Sequence, residues 1–113
     1  VDGLKRVVEE LLRRHRVKYS LEWFVSGEPF LTAPGELSQA ATRAVQEQLQ
    51  ITPKLSTGGG TSDGRFIAPL GAQVIEMGVI NQTIHKVNEC VRVADIDRLQ
   101  RIYFRTLELL LAP

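Results

Sequence analysis

A glycine-rich stretch in the middle of the chain has the residue types of an anion-binding loop. Residues 56–68 read STGGGTSDGRFIA, with three consecutive glycines before Thr61, Ser62 and Asp63. Glycine lets backbone approach a ligand closely, and the three residues after it can accept the first free N–H groups of a helix. The helix start would present N–H donors to an anion, and the Arg65 guanidinium can bind a carboxylate with two hydrogen bonds.

Composition leaves a second interpretation of this stretch open. A run of glycines also suits a flexible linker between two structural elements. A Walker-type phosphate loop is excluded, because no Gly-Lys-Ser/Thr sequence ends the stretch. The loop is therefore either an anion-recognition element or a linker.

The two histidines and the single cysteine are the other candidates for chemistry. His15 ends the first predicted helix, where the negative end of the helix dipole favours a cation. His85 lies in an irregular polar loop, and its residue type alone fits an ordinary loop histidine better than a metal ligand. Because a zinc site needs three or four protein ligands, we expect none built by this chain alone. Cys90 could be a nucleophile with His85 as its base, but the apolar Val91 and Val93 favour a buried structural thiol.

Apolar residues at helical spacing predict the helices that position these groups. They indicate helices over residues 2–15, 36–49 and 94–111, with a short helix after the glycine loop. Asp2 is the predicted N-cap of the first helix, and the second has an alanine-rich stripe suited to close packing on a sheet or helix. The third helix has a predicted core face of Ile96, Leu99, Ile102, Tyr103, Thr106 and Leu110.

Two strands and one boundary are also predicted. Residues 17–25 alternate as a half-buried strand does, and residues 72–77 (AQVIEM) indicate a second, central strand. The proline- and glycine-containing residues 26–35 are typical of a linker or domain boundary. With a short extended segment at residues 54–57, the order helix, strand, helix, strand, short helix, strand, helix predicts an α/β protein with a mixed or parallel sheet.

Glu9 and Glu10 are adjacent in the first predicted helix. Neighbouring helix positions do not face each other, so the two carboxylates indicate a solvent-exposed face rather than an acid/base pair. No catalytic residue is expected in this chain.

Composition and charge limit the class of partner. The 113 residues are 43% hydrophobic and 24% charged with a net charge of +1, which argues against a nucleic-acid or polybasic membrane role. No apolar run is long enough to span a bilayer, and one cysteine fits a reducing, cytoplasmic compartment. The chain begins at Val1 without a translation start, so we expect a processed product or part of a longer protein.

Two motif blocks resemble a known family. STGGGTSDGRFIA (56–68) and GVINQTIHKVNECVRVADIDRL (78–99), preceded by YSLEWFVSGEPFLTAPGEL (19–37), are similar to the C-terminal part of desuccinylases in the di-zinc aminoacylase/carboxypeptidase superfamily. The resemblance implies that residues 1–27 are the last helix, strand and hinge of an inserted α+β lid domain. Residues 28–113 would be the C-terminal part of a zinc-peptidase-like α/β catalytic domain.

The resemblance also implies a metal ligand. His85 corresponds to the one zinc ligand that the C-terminal segment contributes. The remaining ligands of the two zinc ions, and the catalytic glutamate, would lie upstream of Val1, and Glu9 and Glu10 do not replace them.

The substrate-binding residues implied by the resemblance are Gly60, Thr61, Asn81, Ser26, Gly27 and Arg65. The glycine and threonine would hold substrate carboxylates, the asparagine would lie near the amino-acid end, and residues 26–27 would meet the substrate on lid closure. Arg65 is alternatively a structural ion-pair partner. The sequence departs from the family pattern at Gly58, where Ser or Thr is common, and at Val79-Ile80, which replaces Pro-Val.

The implied reaction is metal-assisted hydrolysis of N-succinyl-diaminopimelate, a small dicarboxylic amino-acid substrate, to succinate and diaminopimelate in lysine and cell-wall precursor synthesis. The complete enzyme would be a homodimer. The chain alone is expected to be inactive and to self-associate. The alternatives are a sister deacylase for another N-acyl amino acid and a non-catalytic binding module that reuses the fold.

Overall fold

The computed structural model describes residues 1–58, 60, 62–80 and 82–112, and this part of the chain is helical. The helices are α1 (Asp2–Arg14), α2 (Glu36–Leu49), α3 (Gly64–Ile67) and α4 (Val93–Leu111), and a 3-10 turn (Ala68–Leu70) follows α3 directly. The three long helices and the short helix after the glycine loop confirm the predictions from periodicity. None of the helices in the described ranges combines the length and apolarity required to cross a membrane.

The chain divides into two units, Val1–Phe30 and Leu31–Pro113. In the first unit, the N-cap of α1 is Val1, one residue before the predicted cap. The carbonyl oxygen of Val1 accepts the N–H groups of Leu4 and Lys5 at 3.0 and 3.1 Å. Asp2 therefore lies in the first turn rather than at the N-cap, where its carboxylate still faces the positive end of the helix.

The apolar side of α1 is largely uncovered. Leu4, Val7 and Leu11 are 66%, 53% and 48% exposed, and no residue of the helix is buried. The amphipathic pattern that predicts this helix is present, but of its apolar positions only Val8 and Leu12 are partly covered in the described structure. A helix with such a stripe normally buries it against another element.

The second unit has its core between α2 and α4. Ala44 is completely enclosed, with Val45 and Ile102 buried beside it. Three partly buried side chains pack against this cluster: Leu49, Met77 and Leu109. Because alanine carries only a methyl group, the α2 backbone can approach α4 closely. The predicted close packing of the alanine stripe is confirmed, and its partner is a helix.

The core face of α4 is narrower than its sequence predicts. Ile102 and Thr106 are buried, and the Thr106 hydroxyl donates to the Ile102 carbonyl at 2.8 Å. Ile96 and Tyr103, which were predicted to be in the core, remain 51% and 47% exposed. One neighbouring helix covers one side of a cylinder, so the rest of the apolar surface of α4 stays open in the described structure.

An ion cluster joins the same two helices at their surface. The Glu47 carboxylate accepts from Arg105 Nε on α4 at 2.6 Å and from Arg43 Nε on α2 at 2.8 Å. These hydrogen bonds, the one from Arg105 first, lower the pKa of Glu47 to about 2. The hydrogen bond to Glu47, together with a second one to Glu108, raises the pKa of Arg105.

Residues 72–77 lie outside any helix or strand, yet side chains from other parts of the unit hold them. The Thr32 hydroxyl donates to the Val74 carbonyl at 2.6 Å and accepts the Val74 N–H at 3.1 Å. The Tyr103 hydroxyl donates to the carbonyl of Met77. This segment is therefore tied to the chain before α2 and to α4.

The same segment also caps α2. Gln73 Oε1 accepts the N–H of Leu37 at 3.0 Å, which satisfies one of the free donors at the start of the helix. Gly35 makes room for this amide, because a Cβ at that position would lie 2.7 Å from the Cδ and Oε1 atoms of Gln73. The Ser38 hydroxyl accepts the Gly35 N–H and donates to the Gly35 carbonyl.

The two predicted strands do not form in the described part of the chain. A strand is completed by backbone pairing with a neighbour. Residues 72–77 instead bond to the side chains of Thr32 and Tyr103, and the Gln73 side chain accepts a backbone N–H at the start of α2. Among residues 17–25, the apolar residues of one predicted side (Val17, Tyr19, Leu21, Trp23 and Val25) are 39–48% exposed, and Phe24 on the other side is 91% exposed. The α/β class is not confirmed by the described residues.

Candidate functional site

The exit of the glycine loop is anchored by a serine. The Ser62 hydroxyl accepts the N–H of Gly64 at 3.1 Å and donates to the carboxylate of Glu76. Asp63 occupies the N-cap position of α3 but makes no capping hydrogen bond through its side chain. Because α3 has only four residues, its dipole is short, and the bond from Ser62 to Glu76 connects the start of α3 to residues 72–77.

Arg65 lies on α3 beside an aromatic ring. Its guanidinium carbon is 4.7 Å from the centroid of the Phe66 ring, within the range of a cation–π contact. Its Nε atom is buried and has no hydrogen-bond partner among the described residues. None of the ion pairs in that part of the chain involves Arg65, so the alternative role as a structural ion-pair partner has no support there.

The other substrate-binding candidates differ in how far the structure describes them. Gly60 is exposed, and a Cβ there would meet nothing within 4 Å. Ser26 and Gly27 are exposed in the first unit. Thr61 and Asn81 lie outside the described residues.

A hydrogen-bonded loop carries His85. The Thr83 hydroxyl donates to the carbonyl of Cys90 at 2.8 Å and accepts the Cys90 N–H at 3.0 Å, so it joins the two ends of the loop. Within it, the N–H of Lys86 donates to the Thr83 carbonyl at 3.0 Å, and Glu89 accepts the His85 N–H at 3.3 Å. His85 has a φ of 60°, the left-handed region.

Cys90 is exposed, which corrects the prediction of a buried structural thiol. That prediction relied on the two apolar residues that follow it. Val91 and Val93 are themselves 44% and 75% exposed, because no described element covers them. The backbone of Cys90, rather than its thiol, has the structural role, as the partner of Thr83.

The chemistry of His85 fits a contributing metal ligand. Its side chain is exposed, and no described residue hydrogen-bonds to its ring, which leaves the imidazole nitrogens available in the described structure. A complete site needs more donors, and no group of three His, Cys, Asp or Glu residues in the described ranges could hold a metal. His85 thus suits one position of a metal site whose other ligands come from elsewhere.

Sequence reasoning missed the residues that hold this arrangement together. Thr83 and Cys90 are seven positions apart, and Ser62 and Glu76 are fourteen apart. Neither pair lies within one helix or strand, so periodicity does not link its members. The only local signal was the hydroxyl two residues before His85. The grooves along α2 and α4, lined by residues such as Phe104 and Ala40, include none of the candidate site residues.

Comparison with known proteins identifies the class. Residues 3–109 match the family model of Peptidase family M20/M25/M40, and the chain belongs to that family. The chain is also similar to a curated protein, the succinyl-diaminopimelate desuccinylase of Nitrosococcus oceani. The two are 59% identical over 108 residues, which cover 96% of this chain and 29% of that protein. The chain therefore spans less than a third of the length of the relative it matches.

Proposed function

We propose that this chain is the C-terminal segment of a zinc-dependent succinyl-diaminopimelate desuccinylase. The observation that carries the proposal is the similarity to such an enzyme along nearly the whole chain. The substrate would be N-succinyl-LL-2,6-diaminopimelate, and the products succinate and LL-2,6-diaminopimelate. The exposed His85 on its hydrogen-bonded loop supports the proposal independently.

In this proposal His85 holds one position of a site for two zinc ions. When bound, the metal would polarise the amide carbonyl and activate water for attack. A ring nitrogen of His85 would donate its lone pair to the metal, and Thr83 and Glu89 hold the backbone around the imidazole. The segment contributes no general base, because the catalytic glutamate belongs to another part of the enzyme.

The glycine loop and Arg65 bind the substrate carboxylates. The buried, unpartnered Nε of Arg65 has a hydrogen-bond donor to offer, and an unmet buried donor favours a ligand that satisfies it. The open space around Gly60 leaves room for a carboxylate to approach the backbone. Thr61, Asn81, Ser26 and Gly27 complete the proposed contacts.

The architecture of the whole enzyme is also part of the proposal. Residues 1–27 would end a lid domain and residues 28–113 would complete an α/β catalytic domain, with strands that pair once the rest of the sheet is present. The exposed apolar stripe of α1 supports a homodimer through the lid. A cytoplasmic location belongs to the same proposal. Sedimentation of the full-length protein as a monomer at every concentration would contradict the dimer.

The two histidines provide a matched test in the full-length protein. We expect His85→Ala to lower desuccinylase activity by at least about 100-fold, since even residues that only support a metal ligand cost 10–100-fold. His15→Ala removes the same side chain from the exposed C-terminal end of α1 and should leave the rate unchanged. Equal rates for the two variants would reject the proposal.

The specificity for the acyl group is tested by comparing two substrates. The full-length enzyme should hydrolyse N-succinyl-diaminopimelate faster than the N-acetyl analogue, because only the succinyl group brings a second carboxylate to the proposed anion contacts. A preference for the acetyl substrate would favour a sister deacylase. No hydrolysis of either, with zinc present, would favour a non-catalytic binding module.

A further inference from the structure

We propose that Thr83 is a positioning residue that presents His85 to the metal. The inference rests on the proposed function of His85 as a ligand. Thr83 itself would touch neither the metal nor the substrate. It acts by closing the loop that carries the imidazole.

The closure is a two-way hydrogen bond. The Thr83 hydroxyl donates to the Cys90 carbonyl at 2.8 Å and accepts the Cys90 N–H at 3.0 Å, so one side chain engages both backbone groups of a residue seven positions later. This geometry fixes the distance between the loop ends. A loop held at both ends has far fewer conformations than a free one.

His85, inside this closed loop, has a backbone conformation that must be held in place. His85 has a φ of 60°, which is uncommon for a residue with a Cβ. Two hydrogen bonds favour this value of φ. The Lys86 N–H donates to the Thr83 carbonyl at 3.0 Å and closes a turn, and the His85 N–H donates to Glu89 at 3.3 Å. Loss of the closure would let His85 relax towards negative φ and would swing its ring away from one fixed direction.

A fixed ring direction matters more for metal binding than for folding. Zinc accepts nitrogen ligands over a narrow range of distance and angle, so a ligand on a mobile loop binds more weakly. Residues 83–90 are mostly exposed, and water can solvate the Cys90 backbone when the hydroxyl is lost. We therefore expect a large effect on zinc affinity and a small effect on thermal stability.

The chain contains a matched control for this pair of hydrogen bonds. The Thr32 hydroxyl donates to the Val74 carbonyl at 2.6 Å and accepts its N–H at 3.1 Å, the same two-way arrangement on a different part of the unit. Thr32→Val and Thr83→Val remove identical groups. Only the second removes them from the loop of His85.

The test uses the full-length enzyme stripped of metal and titrated with zinc alone. Thr83→Val should weaken zinc binding about tenfold, the lower end for residues that orient metal ligands, and should lower kcat with KM unchanged. Thr83→Ser, which keeps the hydroxyl, should restore both. Thr32→Val should keep wild-type zinc affinity.

Three results would overturn the inference: wild-type zinc affinity in Thr83→Val, an equal loss in Thr32→Val, or no recovery in Thr83→Ser. His85→Ala, measured in parallel, separates this inference from the proposed function. If His85→Ala keeps wild-type zinc affinity, the ligand role itself fails. If His85→Ala loses affinity and Thr83→Val does not, only the positioning role of Thr83 fails.

Discussion

Enlarging the side chain at position 44 should push α2 and α4 apart. Ala44 has no exposed surface and contacts Val45 and Ile102 in the core. If the three extra carbons of a leucine found room, their burial would favour Ala44→Leu by about 2 kcal/mol. Because the methyl group is fully enclosed, the helices would have to separate, and overpacking of this kind costs about 1–3 kcal/mol net. We therefore expect destabilisation.

Thermal unfolding of the full-length protein, followed by circular dichroism, measures this change. The expected fall in Tm is roughly 2–4 °C for each kcal/mol in a domain of medium size. Gln46→Leu places the same side chain on an exposed position of α2 and should change Tm by little, since glutamine and leucine have similar helix propensities. An Ala44→Leu protein as stable as wild type, or as Gln46→Leu, would refute the close packing of the two helices.

Three further outcomes are expected. Because the pKa of Glu47 falls from 4.5 to about 2, its pairing with Arg105 stabilises the fold above pH 4.5, and this stabilisation is lost as the pH falls towards 2. Glu47→Gln should therefore flatten the pH dependence of Tm between pH 4.5 and 2. An unchanged profile would contradict the ion pair. Gly35→Ala should displace Gln73 from the start of α2 and lower the free energy of unfolding by about 1 kcal/mol. Gly3→Ala, which places its Cβ in open space, should instead stabilise α1. Equal effects of the two variants in urea titrations would argue against the Gln73 cap. Arg65→Met should lower kcat/KM about 30-fold, near 2 kcal/mol, and a wild-type value would remove Arg65 from the substrate contacts.

Helices were predictable because their signal is local. The apolar spacing of α1, α2 and α4 is complete within each segment, so the predicted bounds match the observed ones within one residue. The stripe of alanines predicts close packing of α2 on a sheet or a helix, and in the structure the partner is α4. Which side of α4 would be covered was not predictable, since Ile96 and Tyr103 belong to the same apolar pattern as Ile102 but remain about half exposed.

The strands and the loop closure depend on partners far away in the chain. Residues 72–77 include the β-branched pair Val74-Ile75 that is typical of a strand, but a sheet needs a second backbone, and here Thr32 provides a hydroxyl instead. The ring of His85 was identified by resemblance, whereas the Thr83–Cys90 closure that holds it follows from geometry alone. Substrate contacts cannot be deduced from residue types when the ligand and most of the site belong to other parts of the enzyme.

The role of His85 as a zinc ligand is tested most directly by a crystal structure of the full-length enzyme loaded with zinc, with anomalous scattering measured at the zinc edge. We expect an anomalous peak about 2.0–2.1 Å from a ring nitrogen of His85, the usual zinc–histidine distance. A fully coordinated zinc centre with the His85 imidazole outside it would contradict the claim that this chain contributes a ligand.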